Sequence, residues 1–336
     1  MIEPRFLLVR LGSLGDIIHT LPAASALRDT FPEARIDWVV DPKWTRLLEG
    51  NSDLSGVIHF DRKNLRGMAA TIRTLRAARY TCAIDFQSLY KSALLALLSG
   101  APRRIGFERR YAREGLASLF YTDRVRPQGA HKVEHNLTLV ESAGARRSPP
   151  RFPLMIHPEE DDRAARELAA RAIREFFVLN PGGGWRSKCW PAERYGELHR
   201  KLAAYYGWSG VVTFGPGEED LAERVVRAGG APPPVAIPLT LGPLMAVLRR
   251  ARFMVAADTG PLHLAAALGT PVVGLFGPTD PARNGPYSPG PCNVVVRNAS
   301  DSQTTYRRGT TDSPAMLSIS VDQAFAAVQR CLESRS

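Results

Sequence analysis

Short apolar runs alternate with helical spacing along the whole chain. In the first half FLLVR, IDWVV, VIHF and TCAIDF read as strands, each followed by a stretch in which apolar residues recur at three and four. After the first strand, Ile17, Leu21, Ala24 and Leu27 mark one buried face of a helix beginning near Asp16, with Pro22 early enough to be a tolerated bend. Strand, helix and strand in this order predict a parallel sheet with crossover helices. Residues 144–158, GARRSPPRFPLMIHP, are rich in proline and basic residues, lack periodicity, and read as an interdomain connection.

Beyond that connection the rhythm resumes. EFFVLN, SGVVTF, PVAI, RFMVAA and PVVGLF read as strands, with helices near 192–205, 217–228, 242–250 and 260–268. The fold class is therefore α/β, with a doubly wound domain in each half: residues 1–150, residues 151–318, and a closing helix at 319–336 expected to pack back toward the first domain. A ligand is expected at the carboxyl ends of the strands, in a cleft between the domains.

The length of 336 residues fits two compact cores. A composition 44% hydrophobic and 23% charged is that of a folded globular chain rather than a disordered one. No apolar run approaches the roughly 20 residues of a membrane span. The start MIEPRFLLVRLGSLGD is broken by Arg5 and Arg10 and lacks a signal-peptide core, so a cytoplasmic location is expected. Cys82, Cys189, Cys292 and Cys331 form no CxxC pair and read as reduced packing residues. The net charge of +11 is uneven: residues 61–80 hold six Lys or Arg against one acid, and residues 100–132 hold eight against three. Such patches suit an anionic partner, whether nucleic acid, a membrane surface or an acidic glycolipid, or are simply a solvated basic surface. No aromatic RNA-binding set, zinc finger or basic recognition helix supports nucleic acid.

Three loops carry candidate chemistry. Gly12-Ser13-Leu14-Gly15-Asp16 joins the first strand to its helix. A carboxylate at the start of a helix is favoured in its ionised form and can accept a proton, though it serves equally as a cap. His19, one turn on, is either an assistant or a packed helix residue. Asn180-Pro181-Gly182-Gly183-Gly184 follows a strand and precedes Lys188: open amides and a flexible point charge suit a phosphate, and a loose turn with a surface lysine explains the same residues. Asp258-Thr259-Gly260-Pro261 begins where RFMVAA ends, with Thr259 as cap, Pro261 in the first turn and Gly260 leaving amides open to an anion. Gly277-Pro278-Thr279-Asp280-Pro281 forms a second turn at the same sheet edge.

Other matches are set aside. His131-Lys132-Val133-Glu134-His135 fits the HxxEH zinc pattern, but a basic segment leading into a helix accounts for it equally well. Gly215-Pro216-Gly217 is followed by Glu218, Glu219 and Asp220, which would repel a pyrophosphate but suit ribose hydroxyls. There is no Walker A, GxSxG or HExxH sequence.

Taken together, VRLGSLGDIIHTLP, DFQSLYKSALL, NPGGGWRSKCWP and DTGPLHLAAALGTPVVGLFGPTDP resemble the lipopolysaccharide heptosyltransferases, glycosyltransferase family 9. DFQSLYKS and GLASLFY are most similar to the heptosyltransferase I subgroup. The resemblance implies the GT-B arrangement of two facing Rossmann-like domains and inverting transfer of heptose from ADP-heptose to Kdo of Kdo2-lipid A. A heptosyltransferase II, another family acceptor, or a nucleotide-sugar epimerase are the alternatives. It further implies Asp16 as base, Lys188 on the donor phosphates, and Asp258, Thr259, Gly260 and His263, with Gly183 and Gly184, around the nucleotide sugar. Glu219 would hold the ribose. Arg10 and Gly15 would lie at the acceptor, joined by Arg62, Lys63 and Arg66 of the basic segments, which face Kdo carboxylates, lipid A phosphates and the anionic inner-membrane surface. No metal or cofactor is expected, since Lys188 and helix-terminal amides can neutralise the diphosphate. The resemblance fades after about Pro289, and the Cys-free stretch Asn293 to Pro314 departs from relatives with a cysteine-rich one.

Overall fold

A computed structural model describes residues 3–60, 64–287 and 293–334. The chain divides into two compact units, Met1–Met155 and Ile156–Ser336.

The first unit is a six-stranded parallel sheet of β1 (Arg5–Val9), β2 (Arg35–Val40), β3 (Gly56–His59), β4 (Cys82–Asp85), β5 (Arg103–Phe107) and β6 (Asp123–Val125), in the order β3-β2-β1-β4-β5-β6. Central β1 pairs with β2 on one side and β4 on the other, so Leu7, Leu8 and Val9 are wholly buried. This double covering is why FLLV is a continuous apolar run rather than an alternating one. Leu7, Val9, Val39 and Ala83 meet Leu75, Leu95 and Ala96 of the crossover helices in one core. The helix expected from Asp16 onward is two: Leu14–Ile18 and Leu21–Thr30. Pro22 has no N–H to give the Ile18 carbonyl, so it stands in the first turn of a new helix instead of bending a long one.

The second unit repeats the plan with β7 (Phe176–Asn180), β8 (Ser209–Phe214), β9 (Val235–Pro238), β10 (Met254–Ala257), β11 (Val272–Phe276) and β12 (Asn293–Arg297), ordered β12-β11-β10-β7-β8-β9 and all parallel. Counted from the first strand of each half, both sheets have the order 3-2-1-4-5-6 of the doubly wound dinucleotide-binding fold. Helices Ala192–Tyr206, Glu219–Ala228, Leu241–Arg250 and Gly260–Ala267 stand where the periodicity put them. The closing helix Val321–Glu333 buries Ala324, Ala327, Val328 and Cys331 in the core of the second unit, against β11, β12 and Ala192–Tyr206. Cys82, Cys189 and Cys331 are buried; Cys292 lies outside the described residues.

In each sheet the strand order reverses once, between β1 and β4 in the first unit and between β7 and β10 in the second. The loops leaving those four strands flank the two crevices where this fold takes its ligands.

Candidate active site

The first crevice is built outward from Asp85, which ends β4 and is fully buried. Its carboxylate accepts from the Gln87 and Ser88 amides at 2.8 and 3.1 Å, the Ser92 hydroxyl at 2.8 Å and the Tyr121 hydroxyl at 2.7 Å. Burial pushes the Asp85 carboxyl up despite these donors. The loop so fixed then holds the β1 loop: the Leu11 amide donates to Gln87 Oε1 at 2.9 Å, and the Arg10 guanidinium donates to the Phe86 carbonyl. Gly12 closes against Trp44, and a Cβ there would meet the Trp44 Nε1 at 2.8 Å.

Arg10, thus anchored, reaches Asp16 Oδ1 at 2.7 Å, and Lys132 Nζ reaches the same oxygen at 3.2 Å. The second oxygen accepts from the Ser13 hydroxyl at 3.1 Å and the Ser13 amide at 3.4 Å, which makes Asp16 a capping residue of its own helix as well as a charged group. Burial alone would raise the Asp16 carboxyl, but Arg10, Lys132 and His19 reverse that and hold it well below the usual carboxylate range. His19 is buried and sets its ring edge-on to His131, 5.1 Å between centroids. Gly15 is buried within the helix Leu14–Ile18. Arg66 is exposed on the first turn of Leu65–Ala77, while Arg62 and Lys63 lie outside the described residues.

The second crevice centres on Asp258, at the end of β10. Its carboxylate takes Lys188 Nζ at 2.5 Å, His263 Nε2 at 3.2 Å and the Thr279 hydroxyl at 2.8 Å. Burial opposes its ionisation; His263 and Lys188 outweigh it and carry the carboxyl below its ordinary value. Lys188 is further held over the Trp185 ring, 4.3 Å from its centroid. Helix Gly260–Ala267 starts beside this cluster with Thr259 as N-cap, yet the Thr259 side chain makes no capping bond, and its buried hydroxyl has no hydrogen-bond partner among the described residues. A helix N-terminus, an unused buried hydroxyl and a lysine ammonium together form a place for an anion.

The glycine loop explains itself by contact. The Glu218 carboxyl stands where a Gly182 Cβ would be, and Cys189 Sγ lies 3.1 Å from a Cβ at Gly183, whereas Gly184 faces open space. Glu218 also accepts from the Gly215 amide at 2.9 Å. It is Glu218 that the fold presses against the glycine loop; Glu219, the ribose acid expected from the sequence, is exposed in the first turn of the next helix. The spacing alone could not separate two adjacent acids at a helix start.

Lys132 and Thr279 are the contributors that sequence reasoning passed over as site residues. Lys132 belongs to the HxxEH match, which the structure resolves as a helix cap: the Glu134 carboxylate accepts from the Ala130 and His131 amides at 2.8 and 2.9 Å. Among the described residues no group of three His, Cys, Asp or Glu side chains could hold a metal ion.

Residues 68–313 match the family model "Glycosyltransferase family 9 (heptosyltransferase)". The chain is 36% identical over 301 residues to lipopolysaccharide heptosyltransferase 1 of Pseudomonas aeruginosa, covering 84% of this chain and 81% of that one. Among solved structures, the family 9 glycosyltransferase of Veillonella parvula superposes with a TM-score of 0.86 at 23% identity, covering 99% of this chain and 98% of that one. The Escherichia coli heptosyltransferase WaaC with ADP-2-deoxy-2-fluoro heptose superposes with a TM-score of 0.74 at 27% identity, covering 99% and 100%. Two doubly wound units, a carboxylate held by cations in each, and these matches lead to one conclusion: the chain belongs to glycosyltransferase family 9, the heptosyltransferases.

Proposed function

We propose that this chain transfers L-glycero-D-manno-heptose from ADP-heptose to a Kdo sugar of Kdo2-lipid A, in one displacement that inverts the anomeric centre. The donor belongs to the second unit. Lys188, the amides at Thr259 and Gly260 and the unused Thr259 hydroxyl take the diphosphate, and Glu218 takes ribose hydroxyls beside the glycine loop. Asp258 is itself anionic and so is a poor phosphate contact; it positions Lys188, His263 and Thr279. The observation that carries this reading is the Lys188–Asp258 pair at an incompletely capped helix N-terminus, in a chain whose relative of 27% identity is a heptosyltransferase solved with an ADP-heptose analogue.

The acceptor hydroxyl attacks the anomeric carbon as the bond to the ADP oxygen breaks. Its proton passes to Asp16, and the charge that develops on ADP meets Lys188 and the helix amides. In the resting protein Asp16 is a weak base, since Arg10 and Lys132 both stabilise its ionised form. Two consequences follow for the reaction. Proton transfer comes late, once the attacking oxygen has been acidified by bonding to carbon. An acceptor carboxylate that draws Lys132 or Arg10 toward itself makes Asp16 more basic at the moment it is needed. Asp16 belongs to the first unit and the groups proposed for the donor to the second.

Arg62, Lys63 and Arg66 complete the proposal as acceptor contacts, and the acceptor is drawn from the cytoplasmic face of the inner membrane. Among the described residues no helix is long and apolar enough to cross a membrane. No metal is needed in this scheme; activity lost in chelator and restored by a divalent ion would count against it. The test of the assignment is ADP release from ADP-heptose with Kdo2-lipid A, with a heptosylated acceptor and with none. Release that needs the unheptosylated acceptor supports the reading. Release only with the heptosylated one moves the chain to a later step, and release without acceptor points to hydrolysis or epimerisation.

A further inference from the structure

DFQSLYKSALL and GLASLFY are neighbouring elements of the first unit whose buried residues Asp85, Gln87, Ser92 and Tyr121 serve the first crevice, while their exposed residues do not. Helix Tyr90–Leu98 buries Ser92, Ala93, Leu95 and Ala96. Ala93 packs on Ala117 and Tyr121, fastening the helix to the 3-10 segment Gly115–Phe120. The Tyr90 amide also donates to the Glu114 carboxylate at 2.6 Å. Tyr90, Leu94 and Leu97, spaced as one helical stripe, are exposed on the helix, and Leu116 and Leu119 are exposed on the 3-10 segment packed beside it. Leu119 is 65% exposed and Leu94 43%. Large apolar side chains grouped in this way on a soluble surface mark an interaction face.

The same two elements are edged with arginine. Arg76 donates to the Leu98 carbonyl at the end of the helix, Arg104 to the Phe120 carbonyl and Arg124 to the Ser118 carbonyl, at 3.2, 2.8 and 3.0 Å. The Arg109 side chain lies 3.2 Å from where a Gly115 Cβ would be. Each of these bonds uses only part of a guanidinium that carries five donors. Two of the three acids in this stretch are already engaged: Glu114 by the Tyr90 amide, and Asp123 by Arg103 at 3.0 Å.

We propose that this face, Leu94, Leu97, Leu116 and Leu119 within an arginine rim, docks the protein on an anionic phospholipid bilayer. The leucines enter the headgroup boundary, Tyr90 sits at its level, and the arginines take lipid phosphates. A second copy of the chain is a poorer occupant, because a two-fold contact would set one arginine rim against another. The inference deepens the proposed function by naming the surface on which a lipid-borne acceptor is met, and it rests on that acceptor being membrane-borne.

The full chain is sedimented with vesicles of phosphatidylglycerol and phosphatidylethanolamine, and with vesicles of phosphatidylcholine alone, at low and raised salt. Native protein is expected to bind the anionic vesicles and to be released by salt. Leu94→Ser with Leu119→Ser is expected to lower vesicle binding by about tenfold or more, and Arg109→Glu with Arg124→Glu to abolish the preference for anionic lipid. Both variants are expected to transfer to a deacylated, water-soluble acceptor at the native rate while slowing on acceptor embedded in vesicles. Leu119→Ser alone, at the most exposed position, serves if the double variant melts early. Undiminished vesicle binding by the leucine variants overturns the proposal, as does a native dimer that those variants dissociate. If native protein transfers to no acceptor, the proposed function fails while the vesicle result still decides the docking face.

Discussion

One Arg10 nitrogen lies 2.7 Å from the Asp16 carboxylate while another donates to the Phe86 carbonyl, so the partner of the proposed base is itself held by the loop after β4. That loop is fixed by Asp85, and Asp85 by Tyr121 and Ser92. The ionisation of one carboxylate is thus set by a chain of contacts that begins at another, across the switch point of the sheet.

Lys132 can be tested separately from Arg10. The groups facing Asp16 are Arg10, Lys132, His19 and Ser13. In native protein the Asp16 side-chain carbon, followed by NMR, is expected to titrate below the usual value of about 3.9. Lys132→Ala removes one cation and raises that midpoint, while Lys132→Arg keeps it low. An unchanged midpoint in Lys132→Ala would mean the contact carries no electrostatic weight.

Removing Lys188 has two effects. Lys188→Ala is expected to weaken ADP binding by about 10- to 100-fold, the size of a lost hydrogen bond to a charged group, measured by calorimetry. It also strips a buried carboxylate of its nearest cation, a change of about 3–5 kcal/mol for a buried pair, read as a lower unfolding midpoint in denaturant. Native-like ADP affinity would remove Lys188 from the donor site.

Adjacent acids give a sharp comparison. Glu218→Gln is expected to raise the donor KM several-fold with little change in kcat, because Glu218 stands against the glycine loop. Glu219→Gln, altering an exposed helix residue, should leave both constants unchanged. The reverse result would restore Glu219 as the ribose acid that the family resemblance implies.

The strand pattern made most of this architecture legible, because buried parallel strands such as FLLV and EFFVLN are continuous apolar runs between helical stretches. It missed β5, which opens on Arg103 and Arg104, β6, which is three residues long, and β12. The loops after β1, β7 and β10 were legible as well, since glycine, a cap residue and a charge occur together there. Lys132 was not: it lies 116 residues from Asp16 and meets it only because helix Lys132–Ser142 packs on Leu21–Thr30. Glu218 against Glu219 was undecidable for the opposite reason, the two being neighbours that differ only in which way the helix start turns.

Acid should unfold the protein through these same carboxylates. Asp16 and Asp258 both have folded values below their unfolded ones, so their stabilisation is complete above about pH 4 and is lost as the pH falls toward the folded values. Asp258→Asn is expected to flatten the fall in unfolding free energy below pH 4, followed by urea melts across that range. A slope as steep as native would place the titration elsewhere.

The most direct measurement is the rate of ADP release from ADP-heptose in the presence of Kdo2-lipid A, native protein against Asp16→Asn, with ADP affinity measured alongside. Loss of a general base predicts a fall in kcat of about 10²- to 10⁴-fold, with ADP binding unchanged because the groups proposed to hold the donor belong to the second unit. Turnover by Asp16→Asn within a few-fold of native would contradict the account.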